Sequence, residues 1–101
     1  MYKLFVLVMI LFFTACAKRD LDIICSSAEA ALDEPQPEMR GVRFAVMVDE
    51  SISPFGDVRK GFEAIAHADP SNKYDFFLNM AQYAGYPEWK CPALERLFQP
   101  Q

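Results

Sequence analysis

Ten consecutive apolar residues, Leu4 to Phe13, follow the single charge of Lys3. A helix through them is apolar on every face, and a small domain cannot cover all sides of such a helix. At 1.5 Å per residue the run extends roughly 15 Å, about half of a bilayer's hydrocarbon core, which is too short for a comfortable span. Its length and basic flank are those of the apolar region of a secretory signal peptide. The first 15 residues hold 13 apolar side chains and no acid. The folded unit is therefore sought in the 86 residues after them, which carry nine bases against fourteen acids, a net charge of −5. That length suits one small domain and no second. The acidic balance is a poor match for a polyphosphate backbone, so no nucleic-acid partner is expected.

The apolar run ends in Phe13-Thr14-Ala15-Cys16. These residues resemble the lipobox of bacterial lipoprotein precursors, in which small residues precede an obligatory cysteine. In that family the cysteine becomes the first residue of the mature protein and is lipid-modified. The resemblance covers residues 1–16. Thr14 and Ala15 match the small positions and Cys16 the modified one, while Phe13 stands where Leu is usual. It implies a signal peptide over residues 1–15, cleavage between Ala15 and Cys16, and membrane lipid as a partner through acylated Cys16. Ala17 stands where an Asp would retain an enterobacterial-type lipoprotein in the inner membrane, which implies the periplasmic face of the outer membrane. A second cleavage pattern overlaps the first. Ala15-Cys16-Ala17 is also small-x-small, and cleavage after Ala17 would release a soluble exported chain starting at Lys18. An uncleaved anchor is the third outcome. On the lipoprotein reading, residues 16–20 form the lipidated cysteine and a short tether, roughly 18 Å long when extended. Lys18 and Arg19 then lie at the lipid surface.

Residues 21–101 read as an all-α domain of four or five short helices punctuated by proline. Leu21, Ile24, Cys25, Ala28, Ala31 and Leu32 recur at helical steps, with Asp20 or Asp22 as the start signal and Pro35 and Pro37 beyond the end. Gly41 to Val48 alternates like a strand, but no second alternating segment offers it a partner. A helix from Glu38 to Ile52 is the better reading, with Val42, Ala45, Val46 and Asp49 on one face and Phe44, Met47, Val48 and Ile52 widening it. Ser53-Pro54 reads as a cap and first helical residue, followed by an apolar stripe of Val58, Phe62 and Ile65. Asp69-Pro70 repeats that start, with Tyr74, Phe77, Leu78 and Ala81 as the stripe and Gly85 as the stop. Pro92 opens a last helix presenting Leu94, Leu97 and Phe98.

A domain of this size buries only about 60–65% of its unfolded surface, so its core needs help. Cys25 and Cys91 supply it if export lets them pair, closing nearly the whole domain with one disulfide. Free buried thiols and redox chemistry are the alternatives. The absence of CxxC spacing or companion histidines speaks against a metal pair. The sequence holds no nucleophile elbow, phosphate-binding glycine loop, haem motif or EF-hand loop. The single histidine, His67, falls near a helix end, where a solvated imidazole is the plain reading and a proton-transfer base the sharper one. Asp49, Glu50 and Asp57 lack the alternation and glycine of a calcium loop, so they read as a solvated face. No catalytic residue, metal ligand or cofactor is assigned.

Seven aromatics crowd residues 74–98. Tyr74 and Phe77 fit the core stripe, whereas Phe76, Met80 and Tyr83 share a second face of the same helix. That second face either covers a small core from another side or meets a partner or membrane. Trp89 is expected to pack the loop leading to Cys91. Two function classes follow. The first is a non-enzymatic, lipid-anchored interaction module of the cell envelope with an envelope protein partner. The second is a periplasmic inhibitor or immunity protein, whose acidic surface would block a basic enzyme or toxin site.

Overall fold

The computed structural model describes the backbone of residues 2–99 and the side chains of residues 16–99. Within these residues the chain is all helical. The five helices are α1 (Tyr2–Leu32), α2 (Pro37–Ser51), α3 (Asp57–Ile65), α4 (Pro70–Tyr83) and α5 (Pro92–Leu97). Helix α1 is the spine. Leu21, Ile24, Ala28 and Ala31, all fully buried, form its inward stripe at three- and four-residue steps. The two alanines keep that stripe shallow, and α2 and α5 pack against it. Helices α3 and α4 pair with each other and close the core with Val58, Phe62, Ile65, Phe77 and Ala81. Short connections make α1 and α2, and likewise α3 and α4, antiparallel neighbours.

Three ring systems meet at the centre. Phe44 of α2 stands edge-on to Phe77 of α4 and to Phe98, with centroids 6.0 and 5.7 Å away. Phe77 and Phe98 stack at 6.3 Å. The Lys73 ammonium lies 5.5 Å from the Phe98 centroid, over its outer face.

The expected disulfide is present. Cys25 of α1 and Cys91 before α5 are bonded, with Cα atoms 5.7 Å apart and a sequence separation of 66. Cys91 also starts α5: its sulfur accepts a hydrogen bond from the Leu94 N–H at 3.4 Å, and Pro92 takes the first helical position. The Tyr74 hydroxyl accepts the Cys91 N–H at 3.3 Å, tying α4 to the same point. Trp89 is half-buried against the core on the approach to this junction, as expected.

Helix α4 follows its sequence signals closely. Asp69 is the N-cap and its carboxylate accepts the Ser71 N–H at 2.9 Å and the Ser71 hydroxyl at 2.8 Å. At the far end Gly85 takes φ +101°, and the N–H groups of Tyr86 and Gly85 reach back to the carbonyls of Ala81 and Gln82. This is the paired pattern of a Schellman stop, and it needs a residue that tolerates positive φ. The Ser71 amide, and then the Ser71 hydroxyl, hold the Asp69 carboxyl below its ordinary 3.8. A carboxyl depressed in the folded state adds stability above its unfolded value and loses it as pH falls through the folded one. The cap should thus be intact at neutral pH and be lost only below pH 3.8. An acid titration of the Ser71 amide chemical shift checks this, and a midpoint above that value would contradict it.

Three expectations need correction. The first is the start of the spine helix. Helix α1 runs unbroken through residues 16–20, so Asp20 is an interior residue and not a cap. Ala17 packs against the core and Asp20 is 3% exposed. The second is the start of α3. The Ser53 N–H and hydroxyl both donate to the Asp20 carboxylate, at 3.1 and 3.2 Å. A serine so engaged cannot cap a helix, and α3 begins at Asp57 after Gly56, whose φ is +106°. The Arg59 guanidinium then straps the turn. It donates to the carbonyls of Ser53, Asp49 and Ile52 and to the Asp49 carboxylate, satisfying groups freed at the end of α2. The third is the face of α2. Phe44, Val48 and Ile52 are buried, whereas Val42 and Val46 are about half exposed and Ala45 and Asp49 are exposed. The buried stripe is the one that meets Phe77 and Phe98, and the valines lie outside it.

Candidate functional site

A recess with a volume of about 870 Å³ lies between α3 and α4. It exists because two helices of different surface texture meet. Gly61, on the α4-facing side of α3, leaves room for Met80. A Cβ at position 61 would overlap the Met80 sulfur and come within 2.8 Å of its Cγ. Glycine inside a helix costs about 1 kcal/mol relative to alanine, and here the close approach explains its presence. Ala64 and Ala68 continue the low surface along α3 and beyond its end, while Phe76, Met80 and Tyr83 rise from α4 on the other side. One wall is small and the other aromatic, so an apolar groove remains between them.

The sequence-predicted face of Phe76, Met80 and Tyr83 is therefore assembled as one surface. Phe76 is 44% exposed and Tyr83 83% exposed, with Met80 half-buried between them. Asp57 and Tyr83 line one end of the groove, and His67, Asp69 and Asn72 the other. His67 is exposed at that rim, in the turn after α3, where its backbone N–H bonds to the Ala64 carbonyl at 3.3 Å. Among the described residues no group of His, Cys, Asp and Glu is placed to hold a metal ion. Asp49, Glu50 and Asp57 are all exposed, and Asp49 pairs with Arg59 at 2.6 Å. No buried side-chain nitrogen or oxygen among the described residues lacks a hydrogen-bond partner.

Of the residues assigned to lipid attachment, Cys16 is half-buried on α1 and carries the unbonded thiol. The side chain of Ala15, the other half of the expected cleavage point, lies outside the described residues. No described helix is long and apolar enough to cross a membrane.

Two features escaped the sequence reading. Phe55 is 85% exposed in the α2–α3 turn. Its signal was available, since a phenylalanine between Pro54 and Gly56 has no helical stripe to join. The Asp20–Ser53 contact carried no such signal, because the two residues are 33 positions apart. No protein-family model, no curated protein and no solved structure matches this chain.

Proposed function

We propose that this chain is the precursor of a small lipid-anchored protein of the bacterial cell envelope that works by docking another envelope component. The observation that carries the reading is the apolar run Leu4 to Phe13 ending in Thr14-Ala15-Cys16. The cysteine arrangement supports it. Cys25 and Cys91 are bonded to each other, which leaves the Cys16 thiol for acylation, and a disulfide suits an exported domain. On this reading residues 1–15 are removed and the acyl chains of Cys16 hold the domain at the membrane. One acyl chain, at about 0.8 kcal/mol per buried CH₂, binds only marginally, whereas two hold firmly. Ala17, next to the anchor, favours the periplasmic face of the outer membrane. The apolar α3–α4 groove, with Phe76, Met80 and Tyr83 along one wall, is the surface best suited to a protein partner.

Intact mass spectrometry of membrane fractions, for the wild type and for Cys16→Ser, tests the anchor. The wild-type chain should begin at Cys16 and carry a diacylglyceryl group, while Cys16→Ser should accumulate with its leader uncleaved. A wild-type chain that begins at Lys18, or that lacks lipid mass, would overturn the reading.

A further inference from the structure

The antiparallel pairs α1–α2 and α3–α4 give the bundle two distinct ends. Helix α1 leaves Cys16 and runs to Leu32, and α2 returns to Ser51. The next turn is pinned at the level of Cys16, because the Ser53 N–H and hydroxyl are held by Asp20, about 6 Å along the helix axis from the cysteine. Phe55 lies two residues further on. Helix α3 then runs away from this end, since Ile65 and Ala66 share a recess with Glu38 and Gly41 at the start of α2, and α4 comes back antiparallel to it. Gly61 sits against Met80, and Asp57 and Tyr83 line the same end of the groove. The last residue of α4, Tyr83, is thus at the Cys16 end as well.

These two aromatics are the most exposed large apolar side chains among the described residues, Phe55 at 85% and Tyr83 at 83%. They come from different elements and need no common role in the core. Lys18 and Arg19, both exposed, follow Cys16 directly at the same end. Aromatic side chains favour the headgroup level of a bilayer, and basic residues there are drawn to anionic lipid. We infer that Phe55 and Tyr83 form a membrane-contacting face, which dips into the headgroup region of the bilayer that holds the acyl chains of Cys16 and so fixes the orientation of the domain. The inference rests on the proposed lipid anchor and adds a second point of contact to it. It also directs the α3–α4 groove, with its Asp57–Tyr83 end at the lipid and its His67–Asn72 end turned away.

The test uses the chain purified from membranes and reconstituted into vesicles of phosphatidylethanolamine and phosphatidylglycerol with brominated acyl chains. Trp89, the sole tryptophan, is replaced by Phe, and Phe55→Trp, Tyr83→Trp or Met39→Trp is added singly. Met39 is exposed on the first turn of α2, at the opposite end of the bundle, and serves as the control. Helical circular dichroism establishes that each variant is folded, and intact mass reports whether Cys16 is acylated. Emission from Phe55→Trp and Tyr83→Trp should shift to the blue and fall about two-fold or more in brominated vesicles, while Met39→Trp is unaffected, as expected for side chains buried roughly 5–10 Å into the interface. Acylated variants in which both positions emit like Met39→Trp would overturn the membrane-contacting face and leave the anchor standing. Absence of acyl mass on Cys16 would remove the anchor, and the inference with it.

Discussion

Replacing Cys25 and Cys91 together by alanine should lower the stability of the domain by about 4 kcal/mol on the chain-entropy estimate. The bridge spans a sequence separation of 66, so it constrains the unfolded chain more than a short loop would. For 86 residues at 0.05–0.15 kcal/mol each, the whole stability is about 4–13 kcal/mol. The bridge is thus a large share of what holds this domain folded. The folded state gains from it too, because α5 has only six residues and meets α1 at the buried Cys91, Ala93 and Leu94. Without the bond the amides of Leu94 and Glu95 should exchange with solvent first, ahead of those in α1. Urea unfolding of the wild type with and without reductant, beside the double variant, measures the effect. A loss below about 1 kcal/mol would mean that the reduced chain already restrains these two segments.

Phe77→Ala should cost about 3–5 kcal/mol, the range for removing a buried phenylalanine. Phe77 is 1% exposed and lies between rings contributed by α2 and by the segment after α5. Collapse into the vacated space would require Phe44 and Phe98 to move together, and each is fixed by a different helix. The cavity should therefore persist, which places the cost high in the range. Its neighbour provides the contrast: Phe76 is 44% exposed on the groove wall, and Phe76→Ala should cost less than about 1 kcal/mol. Urea midpoints at unchanged slope compare the two. Equal losses would show that the groove wall contributes to the core as much as the ring cluster does.

The parts of this fold that were legible in the sequence are those decided locally. Asp69-Pro70, Gly85 and Pro92 mark helix ends because their caps involve residues two to five positions away. The inward stripes of α1, α3 and α4 follow from spacing alone. The failures share the opposite cause. Ser53-Pro54 has the form of a helix start, yet Asp20 in another helix engages both donors of Ser53 and displaces the start to Asp57. Helix α2 has apolar residues on two sides, and which side is buried depends on where Phe77 and Phe98 stand. The candidate site divides in the same way. Phe76, Met80 and Tyr83 were found as one face by period, but the groove also needs Gly61. The reason for that glycine appears only where α3 meets α4.

The Cys25–Cys91 bond turns most of the domain into a covalent ring, with the chain before Cys25 on one tail and the chain after Cys91 on the other. The exposed turns at Pro54-Phe55-Gly56 and at Ala66-His67, where a protease would find backbone most easily, both lie inside that ring. A single cut there breaks the chain but detaches nothing. Both fragments stay joined to each other and to the segment bearing Cys16. Shedding α2, α3 or α4, which all lie within the ring, would take either a second cut or a reductant, so the bond guards the integrity of the molecule as well as its fold.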